Sequence, residues 1–203
     1  MGKYKTVIWD MDGTLLDTLD DLSDSVNAAL LAFHLPKKEK KEVRSFVGNG
    51  VLRLMELSVP SGRTNPEFKE LFSFFKEYYA KNSHHKTKPY DGLEKVLTQL
   101  KDLGYRMAVV SNKPDKIVKD LTRLYFGDII DAAIGESAGI NKKPAPDTVF
   151  EAMRLLDAAR ETTIYIGDSE VDISTARNAG IDCLSVAWGF RDKSYLQMSG
   201  AKR

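Results

Sequence analysis

Cysteine is almost missing from this chain, with Cys183 the single one among 203 residues. That excludes an intramolecular disulfide and a cysteine-based zinc cluster. Cys183 follows Gly180-Ile181-Asp182 in an apolar run, so it reads as a buried core thiol. Histidine is scarce too, at three. The pair His84-His85 sits within Ser83–Pro89 with no companion at ligand spacing and reads as part of a solvated linker. No apolar run approaches the roughly 18 residues that a bilayer span requires. No secretory pattern opens the chain, so the cytoplasm is the expected location. A surplus of charge is also absent. Thirty Lys and Arg face 29 Asp and Glu, for a net charge of +1. This argues against nucleic acid, an anionic membrane surface or a polyanion as partner. Any attraction for an anionic ligand must therefore be local.

What is present is ordinary for a globular protein, at 42% hydrophobic and 29% charged residues. The length suits one sizeable core, or a core with a small inserted domain. Thr6-Val7-Ile8-Trp9 is a short apolar run that suits a strand buried on both faces. It ends in Asp10-Met11-Asp12-Gly13, where glycine predicts a turn that leaves both acids at the carboxyl edge of a sheet. Asp-x-Asp by itself also fits a solvated acidic turn, so the rest of the chain has to decide.

Leu19, Leu22, Val26, Leu30 and Phe33 recur at helical spacing. Lys37–Glu42 alternates charge and reads as a solvated helix face. Leu52, Met55 and Leu57 mark a short helix after Gly48-Asn49-Gly50, and Phe68, Leu71, Phe72, Phe75, Tyr78 and Tyr79 mark another. Residues 18–82 thus read as helix only. Beyond Pro89 the pattern alternates, with strands expected at 106–110, 129–134, 163–166 and 183–187 and helices between them. Alternation implies right-handed crossovers and a parallel sheet covered on both faces. The expected architecture is α/β: a five-stranded, Rossmann-like core from residues 1–17 and 83–203, with an inserted all-helical cap over 18–82.

In a parallel sheet the loops after the strands meet at one edge. Here they carry Asp10 with Asp12, Ser111 with Asn112, Lys143, and Asp168 with Asp172. Acids, a hydroxyl and an amine together suit metal-assisted phosphoryl transfer. A phosphate monoester repels nucleophiles, so positive charge must be brought to it. Mg²⁺ prefers oxygen ligands and keeps several waters, so Asp10, Asp168 and the backbone carbonyl of Asp12 would suffice. Lys143 adds a second positive charge, and Ser111 with nearby N–H groups would bind the remaining phosphoryl oxygens.

Four motifs, Asp10-Met11-Asp12-Gly13-Thr14, Val110-Ser111-Asn112-Lys113, Lys143-Pro144-Ala145-Pro146 and Gly167-Asp168-Ser169-Glu170-Val171-Asp172, resemble those of the haloacid dehalogenase-like hydrolases. They stand in the family's order with cap-sized helical sequence after the first. The resemblance implies Asp10 as nucleophile and Asp12 as general acid and then base. It also implies Asp172 in support of the metal site, directly or through water, and a sheet order of 5-4-1-2-3. Thr14 and Asn112 are expected to bind substrate. Trp9, where phenylalanine is common, and Ala145, where aspartate is frequent, depart from the pattern without touching a site position.

The cap with Phe46-Val47-Gly48-Asn49-Gly50 looks like that of phosphoglycolate phosphatases. The expected function is hydrolysis of a small phosphorylated metabolite such as 2-phosphoglycolate, by a monomer or homodimer. Arg44 and Asn49 are candidate leaving-group contacts, with Arg44 a partner for a carboxylate. Arg44 and Arg53 equally read as solvated helix charges. Three other functions fit the same acids: a sugar phosphomutase, an inorganic pyrophosphatase and a non-enzymatic phospho-aspartate switch. Thr14 resembles the phosphatase form of the motif, and a closable cap suits turnover better than a switch.

Overall fold

The computed structural model describes residues 2–201. Its strands in chain order are β1 (Thr6–Trp9), β2 (Leu16–Asp17), β3 (Lys88–Pro89), β4 (Arg106–Pro114), β5 (Ala132–Glu136), β6 (Thr163–Gly167) and β7 (Asp182–Ser185). Five of them form one parallel sheet in the order β5-β4-β1-β6-β7. Counted among sheet strands alone and read from β7, this is 5-4-1-2-3. The labels differ because β2 and β3 form a separate antiparallel ribbon that has no periodic signal in the sequence.

β1 is central, with Thr6 in register with Arg106 on one side and Thr163 on the other. All four of its residues are buried. Successive side chains point to opposite faces. Ile8 accordingly joins Ala108, Val110, Val149 and Tyr165 in one cluster, while Val7 and Trp9 join Met107, Val109 and Leu97 in the other.

Nine α-helices are found among the described residues: α1 (Leu19–Ala32), α2 (Lys40–Phe46), α3 (Val51–Ser58), α4 (Phe68–Asn82), α5 (Leu93–Asp102), α6 (Asp115–Phe126), α7 (Asp147–Leu155), α8 (Glu170–Ala179) and α9 (Lys193–Met198). The first four lie between β2 and β3. α1 packs along α4, and α2 bridges α1 and α3. Phe68, Leu71, Phe75 and Tyr79 are the buried stripe of α4. They share one continuous core with Trp9 of β1 and with Met11 and Leu15 of the segment that follows it.

Four local expectations need correction. The strand expected at 129–134 begins only at Ala132, because a single 3-10 turn takes Gly127–Ile129. Asp131 then ties the chain to β4 by accepting from the Met107 N–H at 2.8 Å. Cys183 is only partly buried, since β7 is an edge strand with one open side. The charged run over 37–42 is helical only from Lys40, where the Glu42 carboxylate accepts from the Glu39 N–H at 2.8 Å and starts α2. The 83–89 stretch is no plain solvated linker: Ser83 and Thr87 are buried, and Asp21 accepts from the N–H groups of Lys86 and Thr87. His84 and His85 are exposed within it.

Candidate active site

The carboxyl ends of β1, β4 and β6, with the loop after β5, build one chamber roofed by the helical segment. Its walls include Asp10, Asp12, Ser111, Asn112, Lys143 and Asp168 from the sheet side, and Leu22, Val47, Gly48 and Val51 from the helical side. It encloses about 40 Å³. At roughly 10–15 Å³ for each water, that is the scale of a few waters or one phosphoryl group.

Gly13 makes the turn after β1 with a φ of +84°, which side chains other than glycine's rarely adopt. A methyl group there would run into the Asp168 carboxylate, so the turn also gives that acid its space. The acids therefore stand against one another. Asp10, Asp168 and Asp172 are all buried and each offers an oxygen within 4.8 Å of the others. Lys143, itself buried, donates to Asp10 Oδ1 at 2.6 Å, Asp172 Oδ1 at 2.8 Å and the Tyr165 hydroxyl at 3.0 Å.

Burial raises Asp10 well above the usual carboxylate range, and the charge of Asp172 pushes the same way. Burial and Asp172 likewise push Asp168 up to about 7. Burial works against the charge of Lys143, but Asp10 and Asp172 outweigh it and hold the ammonium on. Across the chamber a second buried ammonium, Lys113, pairs with Asp12 Oδ1 at 2.8 Å. Four carboxylates thus face two buried ammonium groups. A divalent cation would balance the fully ionised set, and a hard, all-oxygen donor group suits Mg²⁺.

The oxygens of these acids differ in how far they are committed. Asp172 Oδ1 accepts from Lys143 and Tyr165, while Oδ2 accepts from the Ser169 N–H at 3.1 Å and hydroxyl at 2.5 Å. Both its oxygens are spoken for, and it does not line the chamber. Asp168 Oδ2 accepts from the Phe190 N–H at 2.6 Å, and its Oδ1 has a longer contact, 3.3 Å, from the Thr14 hydroxyl. Asp10 and Asp168 therefore have the more available oxygens facing the chamber.

The other expected residues divide. Ser111 lies within 3.5 Å of Asp12 Oδ2. Asn112 lines the chamber, but its side chain bridges the loops, accepting from the Lys143 N–H at 2.8 Å and donating to the Gly48 and Lys143 carbonyls at 3.0 Å each. Thr14 is fully buried and reaches Asp168 rather than the chamber. Arg44 also stays off the chamber wall, where its guanidinium donates to the Gly189 carbonyl at 3.2 Å and pairs with Asp192 at 3.3 Å. Asn49 lies beside a neighbouring surface cleft with Arg53, its carbonyl accepting from Lys142 at 3.1 Å.

Arg191 and Lys113 were not anticipated as site residues. Arg191 lines the chamber, pairs with Glu170 at 2.9 Å, and donates to the Val47 carbonyl at 2.8 Å. A cation there also suits the carboxyl end of α2. The sequence offered no periodic or motif signal for Arg191, which follows the last strand. Lys113 lies inside Val110-Ser111-Asn112-Lys113, where nothing local distinguishes a buried lysine from an exposed one.

Comparison with known proteins agrees with this arrangement. A family model described as haloacid dehalogenase-like hydrolase matches residues 7–186. The phosphoglycolate phosphatase of Pseudomonas putida is 29% identical over 192 residues, covering 92% of this chain and 70% of that protein. The phosphoglycolate phosphatase of Vibrio cholerae is 30% identical over 201 residues, covering 94% and 87%. Among solved structures, a candidate phosphoglycolate phosphatase of Lactobacillus delbrueckii subsp. bulgaricus superposes with a TM-score of 0.93 at 36% identity, covering 99% of this chain and 93% of that one. Site, sheet order and relatives agree: the chain belongs to the haloacid dehalogenase-like hydrolases.

Proposed function

We propose that this protein is a Mg²⁺-dependent phosphatase that hydrolyses 2-phosphoglycolate to glycolate and phosphate through an aspartyl phosphate on Asp10. The observation that carries the reading is the meeting of Asp10, Asp12, Ser111, Lys143 and Asp168 in one chamber. The names of the relatives supply the substrate.

Asp10 attacks phosphorus and takes the phosphoryl group, while Asp12 gives its proton to the departing ester oxygen. Asp12 then removes a proton from water, which attacks the phosphorylated Asp10 and releases inorganic phosphate. Asp10, Asp168 and the Asp12 carbonyl would hold Mg²⁺, which when bound offsets the charge of the phosphoryl oxygens. Asp172 serves that site from behind, by holding Lys143 and the start of α8. Lys143 neutralises Asp10 and the phosphoryl group, and Ser111 donates to a phosphoryl oxygen.

Residues 18–82 act as a cap over a core of 1–17 and 83–203, with the β2–β3 ribbon joining its two connections. Movement of this helical segment off the sheet edge would admit a larger ester, and its return would exclude water. Arg191, already on the chamber wall, is better placed than Arg44 to meet the glycolate carboxylate.

Phosphate release from a panel of small esters, with Mg²⁺ and with a chelator, tests the proposal. We expect the highest kcat/KM on 2-phosphoglycolate, no turnover with the chelator, and no turnover by Asp10→Asn. Full activity of Asp10→Asn would refute the mechanism. A better substrate elsewhere in the panel would refute the assignment to 2-phosphoglycolate.

A further inference from the structure

Lys113 is a buried ammonium that the mechanism above leaves unused. Its side chain is 2% exposed, and lysine is rarely buried so deeply without a purpose-built partner. It pairs with Asp12 Oδ1 at 2.8 Å and donates to the hydroxyl of Tyr79, whose ring lies 4.8 Å from the ammonium. Tyr79 belongs to α4, in the helical segment, and is itself 1% exposed. The contact therefore ties the carboxylate after β1 to a helix some seventy residues further along the chain.

The two oxygens of Asp12 are left unequal by this. Oδ1 takes both Lys113 and the Thr18 hydroxyl, the latter at 2.5 Å. Among the described residues, Oδ2 has only Ser111, at the 3.5 Å limit of a hydrogen bond. An aspartate has two side-chain torsions, and saturating one oxygen fixes both while leaving the other free to meet a ligand. We propose that Lys113, held by Tyr79, is a positioning residue that locks Asp12 through Oδ1 and presents Oδ2 to the leaving-group oxygen. An ordinary buried ion pair that merely fastens α4 to β4 would use the same contacts, so the test must separate the two.

The inference rests on Asp12 as the proton donor, and leaving-group chemistry distinguishes failure of that reading from failure of this one. An alkyl alkoxide departs badly without a proton, whereas p-nitrophenolate needs little help. We expect Lys113→Met to lower the single-turnover rate of leaving-group release from 2-phosphoglycolate, the step in which Asp12 is the acid, by about 10²-fold, within the range of general acid catalysis. On p-nitrophenyl phosphate the loss should stay under about tenfold, with KM on both esters changed less than threefold. Tyr79→Phe removes one hydroxyl and should show the same selectivity at several-fold size, which keeps the question decidable where Lys113→Met does not fold. Equal losses on the two esters, or none, in the folded variants would overturn the positioning role while leaving Asp12 as the acid. Absence of this selectivity in Asp12→Asn would instead remove the acid itself, and the positioning role with it.

Discussion

Replacing Lys143 by methionine isolates the electrostatic logic of the acidic cluster. Lys143 is the cation between Asp10 and Asp172, at 2.6 and 2.8 Å, with its side chain 3% exposed. Methionine keeps most of the volume and removes the charge, so two buried carboxylates and the Tyr165 hydroxyl lose their donor. Breaking a buried pair from one side costs about 3–5 kcal/mol, because the remaining charge stays desolvated. For a chain of this size each kcal/mol moves Tm by about 2–4 °C, so the variant should melt about 6–20 °C lower at pH 8 in chelator. Protons then provide a second check. Burial and Asp172 already raise Asp10, and removing the ammonium raises it further. A carboxyl that is raised in the folded state adds stability at low pH and loses it as pH rises through the folded value. The deficit against the parent protein should therefore shrink at pH 5.5. Thermal unfolding followed by circular dichroism at both pH values measures it. A deficit under 2 °C at pH 8, or one that is equal at the two pH values, refutes the reasoning.

Other outcomes follow from the same geometry. With Asp168 at about 7 in the folded chain against 3.8 unfolded, the metal-free protein should lose up to about 4 kcal/mol between pH 4 and pH 7. Mg²⁺ should consequently raise Tm strongly at pH 8 and little at pH 5, as titration with thermal melts would show. Asp12→Ala should cost on the order of 10²–10⁴ in kcat on 2-phosphoglycolate, measured by phosphate release. At Gly189 an added methyl would overlap the Gly13 carbonyl and the Asp168 side chain. Gly189→Ala should lower stability by about 1–3 kcal/mol and weaken Mg²⁺ binding, both readable by calorimetry.

Much of the site was legible because its chemistry sits in short, local signals. An apolar run that stops at Asp10-Met11-Asp12-Gly13 specifies a strand end and a turn without knowledge of any neighbour. Asp168 and Asp172 are four residues apart, one just before the Ser169 cap and the other in the first turn of α8, again a local pattern. Helix stripes such as that of α4 were equally clear, since periodicity needs only the segment itself. The start of β5 was harder. Ile129 and Ile130 are good strand formers, and the strand begins later because a 3-10 turn takes Gly127–Ile129, which local propensity does not signal.

What the sequence determined by itself is the alternation that demands a parallel sheet and the order in which acids, hydroxyl and amine reach its edge. Tertiary structure alone decided which side chains complete the chamber. Arg44 and Arg191 are indistinguishable as isolated arginines. Packing turns one toward Gly189 and Asp192 and sets the other on the wall, held by Glu170. Lys113 and Tyr79 are likewise a lysine before a proline and one aromatic of a helical stripe until α4 docks on β4. The reason is physical: periodicity reports which face of an element is apolar, whereas a buried ion pair depends on distances between elements that only the packed fold sets.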